Sequence, residues 1–91
     1  MKEKRVHITF YGRVQGVGFR YRAYHIANSL GLTGYVLNNY DGSVEVELQG
    51  RSAAIDEFYG IINNQRYIDI EFMDVKEMEP VQYERSFSIR D

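Results

Sequence analysis

Apolar residues repeat along this chain with two different periods, and the changes of period divide it into elements. Val6, Ile8 and Phe10 alternate with His7, Thr9 and Tyr11, which predicts a half-buried strand over residues 4–11. From Phe19 the spacing becomes three and four. Phe19, Ala23, Ile26, Ala27 and Leu30 mark one face of an amphipathic helix over 20–30, and Gly31 stands where a C-terminal cap glycine belongs. Thr33 to Asn38 predicts a second strand, with Val36 and Asn38 on one face and Tyr35 and Leu37 on the other. Asn39-Tyr40-Asp41-Gly42 reads as a turn, its Asp-Gly pair a strong hairpin signal. Ser43 to Gln49 is the clearest strand: Val44, Val46 and Leu48 point inward, while Glu45, Glu47 and Gln49 are expected to face water.

Gly50-Arg51 breaks that pattern. Ser52 is placed to cap a second helix, with Asp56 and Glu57 early in it and Ile55, Phe58, Tyr59 and Ile62 as its buried stripe; Asn63-Asn64 ends it. Residues 68–79 predict a fourth strand, whose apolar set of Ile68, Ile70 and Phe72, then Met73 and Val75, slips phase at Phe72-Met73. A bulge there accounts for the slip. Pro80 stops the strand, and Ser86 to Arg90, with Phe87 and Ile89 inward, forms a short last one. The order is β-α-β-β-α-β plus a closing strand. The expected fold is α+β: a two-layer ferredoxin-like sandwich, an antiparallel sheet with two helices on one face, built as one domain over residues 1–91. The first and third strands are central in that topology, so Val6, Ile8, Phe10, Val44, Val46 and Leu48 should form the middle of the core.

Composition narrows the chemistry. Apolar residues make up 44% of 91 residues, enough for a packed core. There is no cysteine, so disulfides, thiolate nucleophiles and cysteine-bound metals are excluded. His7 and His25 lie in a strand and a helix without ligand partners nearby in sequence, so no metal site is expected through them. The net charge of −2 argues against nucleic acid as a partner. Eight tyrosines raise the idea of a base-stacking sheet, but the central strands supply only Tyr11 outward, beside Glu45 and Glu47, which repel phosphate. The charged start, Met1-Lys2-Glu3-Lys4-Arg5, is followed by no long apolar run, so neither signal peptide nor membrane span is expected; a monomer in the cytoplasm is the default.

The stretch from Tyr11 to Arg20 joins the first strand to the first helix and holds three glycines and two cationic residues. Glycine permits positive φ, and successive N–H groups in such a turn can form an anion nest. The following helix adds free N–H groups and a partial positive charge, and Arg20 adds a planar cationic fork. An arginine at a helix start opposes the dipole, which hints at an anion between them. A plain turn with a surface charge remains the other reading. A Walker loop is excluded, since no Gly-Lys-Ser/Thr follows Gly12; the dinucleotide fingerprint fails because Tyr21 stands where its third glycine belongs.

Gly12-Arg13-Val14-Gln15-Gly16-Val17-Gly18-Phe19-Arg20 resembles the first signature of the acylphosphatase family. Gly34-Tyr35-Val36-Leu37-Asn38, then Asp41-Gly42-Ser43-Val44 and Gly50, resembles the second. The likeness is close over residues 6–50 and persists as pattern beyond. It implies metal-free, cofactor-free hydrolysis of the carboxyl–phosphate anhydride of a small-molecule acyl phosphate. By that resemblance Arg20 binds the phosphoryl oxygens beside the backbone N–H groups of Gln15, Gly16, Val17, Gly18 and Phe19, a cradle that also suits inorganic phosphate or sulfate, and Asn38 holds the attacking water. Leu37 stands where a cationic or polar residue is usual, but it falls on the sheet face opposite Asn38 and should have little effect on the chemistry; Asn63-Asn64-Gln65-Arg66 replaces a Gly-Pro-rich turn, which leaves substrate preference or partners open but not the reaction. The same domain begins a much larger hydrogenase-maturation carbamoyltransferase, for which this chain is too short. No Asp, Glu or His is expected near Arg20 or Asn38 to act as a base. A non-catalytic anion-binding module with the same fold is the alternative, and intact Arg20 and Asn38 favour the enzyme.

Overall fold

The alternating segment at the start builds the strand on which the sheet is assembled. In the computed structural model, which describes residues 3–91, the order is β1 (Lys4–Arg13), α1 (Phe19–Ser29), β2 (Thr33–Asn38), β3 (Val44–Gly50), α2 (Ser52–Ile62), β4 (Asp69–Met78) and β5 (Phe87–Ile89). The strands lie in the order β4-β1-β3-β2-β5, with β1 and β3 central as expected. β1 pairs antiparallel with β3 from Lys4↔Gly50 to Phe10↔Val44, and β2 pairs antiparallel with β3 from Thr33↔Gln49 to Asn38↔Val44. β5 runs parallel to β2, Gly34↔Phe87 to Val36↔Ile89, so the closing strand makes an otherwise antiparallel sheet mixed at that edge.

The inward residues of the central strands, Val6, Ile8, Phe10, Val44, Val46 and Leu48, are all buried, beneath Phe19, Ala23 and Ala27 of α1 and Ile55, Phe58 and Ile62 of α2. Phe10 and Phe19 stand 4.9 Å apart between ring centroids, tying sheet to helix directly below the glycine-rich turn. Burial of each such valine, leucine, isoleucine or phenylalanine stabilises the fold by about 1.5–3 kcal/mol. α1 ends in a Schellman motif: Leu32 N–H donates to Ala27 O at 2.9 Å and Gly31 N–H to Asn28 O at 3.2 Å, with Gly31 at φ 71°.

Four local expectations need correction. Ser52 is the first helical residue and not the cap; β3 runs on to Gly50, so Arg51 alone spans the gap and sits at the cap position without a side-chain cap bond. The bulge lies one residue earlier than expected. Tyr11 pairs with Phe72 and Gly12 with Ile70, so Glu71 is the extra residue. Ile68, Ile70 and Met73 then turn toward the core, and Phe72 goes to the other face against Tyr11, 5.6 Å between rings. Ile89 is exposed, because β5 is a three-residue edge strand whose end reaches past the core.

The largest departure is the outer face of the sheet. Glu47 and Gln49, expected in water, are 8% and 4% exposed, and Arg5 beside them is 3% exposed. The chain between β4 and β5 crosses this face. Arg5 Nε donates to Glu47 Oε1 at 2.8 Å, and Arg5 Nη1 to Glu84 Oε1 at 2.8 Å. Gln49 holds the backbone of Val81 from both sides, accepting its N–H at 2.8 Å and donating to its carbonyl at 2.9 Å. Tyr35 O–H donates to Glu47 Oε2 at 2.8 Å, and His7 Nδ1 lies 2.7 Å from the same oxygen. Every charge placed under that segment therefore has a partner, which is the condition for burying it.

Candidate active site

The turn over residues 15–18 follows from its glycines. Gly16 has φ 75°, and Gly18, the residue capping α1, has φ 81° and ψ 19°. A Cβ at either would meet no atom within 4 Å, so backbone conformation and not space calls for glycine there. Gly18 offers no side-chain cap, and the first intrahelical bond is Arg22 N–H to Gly18 O at 3.0 Å. The amides of Phe19, Arg20 and Tyr21 consequently begin α1 with no intrahelical acceptor, at the positive end of its dipole.

Asn38 ends β2 and lies on the same strand face as buried Val36. It and the turn enclose one cleft of about 380 Å³, lined by Gly16, Gly18, Phe19, Arg20 and Asn38, with Val14, Tyr21, Ile89 and Asp91 at its floor and rim. Five of the seven residues singled out in the sequence are thus brought together. Gln15 and Val17 are not among them. The Gln15 amide turns away and donates to Asn39 O at 2.7 Å and Ser43 O at 2.8 Å, clamping the glycine turn to the β2–β3 hairpin. Val17 packs against the core on the other side of the turn.

Two features escaped the sequence. The Gln15 clamp had no local signal, since its partners are backbone atoms 24 and 28 residues away. Asp91 corrects the expectation of no nearby acid: its Oδ1 lies 3.8 Å from Arg20 Nη1 at the rim. It arrives there because β5 runs parallel to β2 and Arg90 N–H donates to Val36 O at 2.8 Å. The pair is long and Asp91 is fully exposed, so water screens it and Arg20 keeps its charge available to a ligand. Asp41 is structural as read. Its carboxylate accepts the Ser43 hydroxyl at 2.6 Å and N–H at 2.9 Å, which hold its carboxyl below the usual range. Among the described residues no three His, Cys, Asp or Glu side chains are grouped as a metal site.

A cleft with free helix-start amides, one available guanidinium and an asparagine on the facing strand suits a phosphate-bearing ligand. The family model for acylphosphatase matches residues 6–89. The chain belongs to the acylphosphatase family. An acylphosphatase of Geobacillus thermodenitrificans (strain NG80-2) is 41% identical over 87 residues, 94% of this chain and 93% of that one. An acylphosphatase of Picrophilus torridus is 43% identical over 82 residues, 89% of this chain and 95% of that one. The crystal structure of acylphosphatase from Bacillus subtilis superposes with a TM-score of 0.90 at 32% identity, covering 97% of this chain and 99% of that one. This acylphosphatase-family protein is therefore a hydrolase of acid anhydrides that cleaves acyl phosphates. No helix among the described residues is long and apolar enough to cross a membrane.

Proposed function

We propose that the phosphoryl group of the substrate sits in the glycine turn, against the backbone N–H groups from Gln15 to Phe19 and the Arg20 guanidinium, and that Asn38 holds the attacking water. The observation that carries this reading is the convergence of Arg20 and Asn38, from separate elements, on the one cleft that the two left-handed glycines border. Gln15 enters the reading through its backbone N–H, since its side chain is committed to the hairpin.

Phosphoryl transfer leaves little covalent work to the protein, so positioning and electrostatics dominate. Arg20 and the amides neutralise charge on the equatorial oxygens. The Asn38 amide oxygen accepts one hydrogen bond from water and aims its lone pair at phosphorus. The new bond forms between water oxygen and phosphorus. The bond from phosphorus to the acyl oxygen breaks, and its electron pair leaves on the carboxylate. That is a good leaving group and needs no general acid. A non-bridging phosphate oxygen takes the water proton. Asp91 is no base in this scheme: it lies beside Arg20 at the rim and is open to solvent.

Crystals grown in phosphate or sulfate test the reading, with the anion expected on the turn amides and Arg20. An empty, correctly formed turn at high sulfate would overturn it. The same reading has the hydrolase acting as a cytoplasmic monomer, and sedimentation equilibrium checks the oligomeric state.

A further inference from the structure

On one side the sheet ends in β4. Among the described residues this strand pairs only with β1, so every second residue turns its N–H and C=O to the free side. The helices pack chiefly against β2, β3 and β5. The chain after Met78 leaves the edge to cross the outer face, where Gln49 holds Val81 and Arg5 holds Glu84. Of the ten residues of β4 only Ile70 and Met73 are half-buried, and the rest are exposed. Sheet edges are ordinarily blunted by shortness, a bulge, a proline or a covering element. β5, at the opposite edge, has three residues. In β4 the bulge lies at Glu71 and the proline at Pro80, so Phe72 to Met78 keeps an unbroken register with Tyr11 to Arg5.

The side chains along this stretch suit an added strand. Phe72 and Met78 stand on the outer face, 61% and 41% exposed, and Val75 stands on the helix face, 43% exposed. Apolar contact is therefore on offer on both faces, where an incoming strand places its alternate side chains. Charge narrows the occupant. Asp69, Glu71, Asp74 and Glu77 stand against Lys76 alone, so β4 carries −3 in a chain whose total is −2. The Lys4–Glu77 pair, 3.8 Å apart and open to water, offsets little of this. Two such edges side by side would set −3 against −3, which disfavours a second copy, and the same charge repels nucleic acid.

We propose that the free edge of β4 binds an extended, basic segment of a partner protein as a sixth strand. The main chain of that segment completes the ladder along residues 72–78. Its Lys or Arg side chains meet Asp74 on the outer face and Glu77 on the helix face, and its apolar ones meet Phe72, Val75 and Met78. Main-chain bonds supply affinity, and the alternate side chains select the partner. No residue of β4 borders the cleft that holds Arg20 and Asn38, so hydrolysis continues in the complex.

The experiment titrates the full chain, labelled with ¹⁵N, with three synthetic peptides and follows its amide resonances. In antiparallel register Leu-Lys-Thr-Val-Arg-Thr-Phe places its cations opposite Glu77 and Asp74. It should shift the amides of residues 72–78 and slow hydrogen exchange of those that face the free side. Leu-Glu-Thr-Val-Glu-Thr-Phe should bind at least about tenfold more weakly, through repulsion. Leu-Lys-Thr-Pro-Arg-Thr-Phe should do the same, because proline removes a ladder donor at the centre. The double variant Asp74→Lys, Glu77→Lys should reverse the order of the first two peptides, with circular dichroism and benzoyl phosphate turnover unchanged. Equal binding of the basic and acidic peptides, shifts confined to other elements, or no shift at all would overturn the proposal. So would β4 amide shifts that grow with protein concentration in the absence of peptide, since the occupant would then be a second copy.

Discussion

Gln15 and Asn39 tie the two halves of the candidate active-site cleft together: the side-chain amide of one donates to the backbone carbonyl of the other at 2.7 Å. Asn39 follows Asn38, so the residue proposed to hold water is anchored, one peptide away, to the turn proposed to hold phosphate. The second amide proton reaches Ser43 O at 2.8 Å, at the far side of the same hairpin. Gln15→Ala removes one of the two donors from each carbonyl, since Asn39 O keeps the Gly42 N–H and Ser43 O the Asn39 N–H, so the loss is that of the hydrogen bonds themselves, about 0.5–1.5 kcal/mol each. Because the contact sets the spacing between nucleophile and phosphorus, kcat should fall about tenfold or more, with a smaller change in phosphate inhibition. Gln15→Glu should behave no better, since a carboxylate facing two carbonyl oxygens repels them. Thermal unfolding with steady-state kinetics on benzoyl phosphate checks both; unchanged kcat at lowered Tm would make the clamp purely structural.

In the proposed site Arg20 contacts oxygens that carry charge in ground and transition states alike. Arg20→Ala should therefore weaken phosphate inhibition and slow turnover, a loss of roughly 3–5 kcal/mol in kcat/KM. Arg20→Lys should recover only part, because a point charge cannot reproduce the planar fork. The measurement is kcat, KM and the phosphate inhibition constant for both variants.

The local grammar of this chain was legible and its long-range polar contacts were not. β2 begins and ends where expected, at Thr33 and Asn38, and α1 runs one residue ahead of the predicted helix at each end. Both follow from periodicity, which local backbone geometry imposes. The glycine turn was legible because positive φ restricts residue choice, and Asn38 because the strand pattern and the second signature both end there. Nothing periodic links Arg5 to Glu84, 79 residues away, so the outer sheet face read as wet when a crossing segment covers it. The bulge was misplaced by one residue for a related reason. Sequence shows that phase slips near Phe72, but only the pairing with Tyr11 and Gly12 decides that Glu71 is the extra residue.

Hydrolysis should not depend on a divalent metal. The proposed chemistry places cationic and N–H donors where a metal would otherwise neutralise phosphate charge. Benzoyl phosphate turnover in excess EDTA should match that without it. Loss of most activity, restored by Mg²⁺ or Zn²⁺, would contradict the scheme.

The buried outer-face network makes stability depend on acid. Burial alone would raise the carboxyl of Glu47, but hydrogen bonds from His7, Tyr35 and Arg5 outweigh it and hold it below the ordinary 4.5; for Glu84, burial is outweighed by Arg5 and Thr33 in the same way. A folded-state pKa below the unfolded one means stabilisation that is fully present above the unfolded value and is lost as pH falls through the folded one. Tm should thus hold through neutral pH and drop below about pH 4.5, and Glu84→Gln should flatten that drop. Arg5→Met strands two carboxylates under the crossing segment and should destabilise by about 3–5 kcal/mol at pH 7. It should also flatten the acid-induced fall in Tm, because both acids lose the cation that helps hold their folded pKa below the unfolded one. Urea unfolding at pH 7 and pH 4 separates these effects; an Arg5→Met variant as stable as wild type would show the network to be incidental.

Asn38 offers the sharpest division of roles within the cleft. Its side chain has no charge to bind phosphate and no proton affinity to act as a base, so what it can supply is direction to water. Asn38→Ala should collapse kcat about 10²-fold or more, yet leave competitive inhibition by inorganic phosphate nearly unchanged. Asn38→Asp should also fail, though it keeps an acceptor oxygen, because a carboxylate in the cleft repels a dianionic phosphate. That variant should weaken phosphate inhibition where Asn38→Ala does not, which separates lost direction from added charge. Circular dichroism must first show both variants folded, since Asn38 pairs with Val44 at the end of β2. If Asn38→Ala lost phosphate inhibition while Arg20→Ala kept it, the two roles would be exchanged. If both kept full turnover, the reaction would take place outside this cleft.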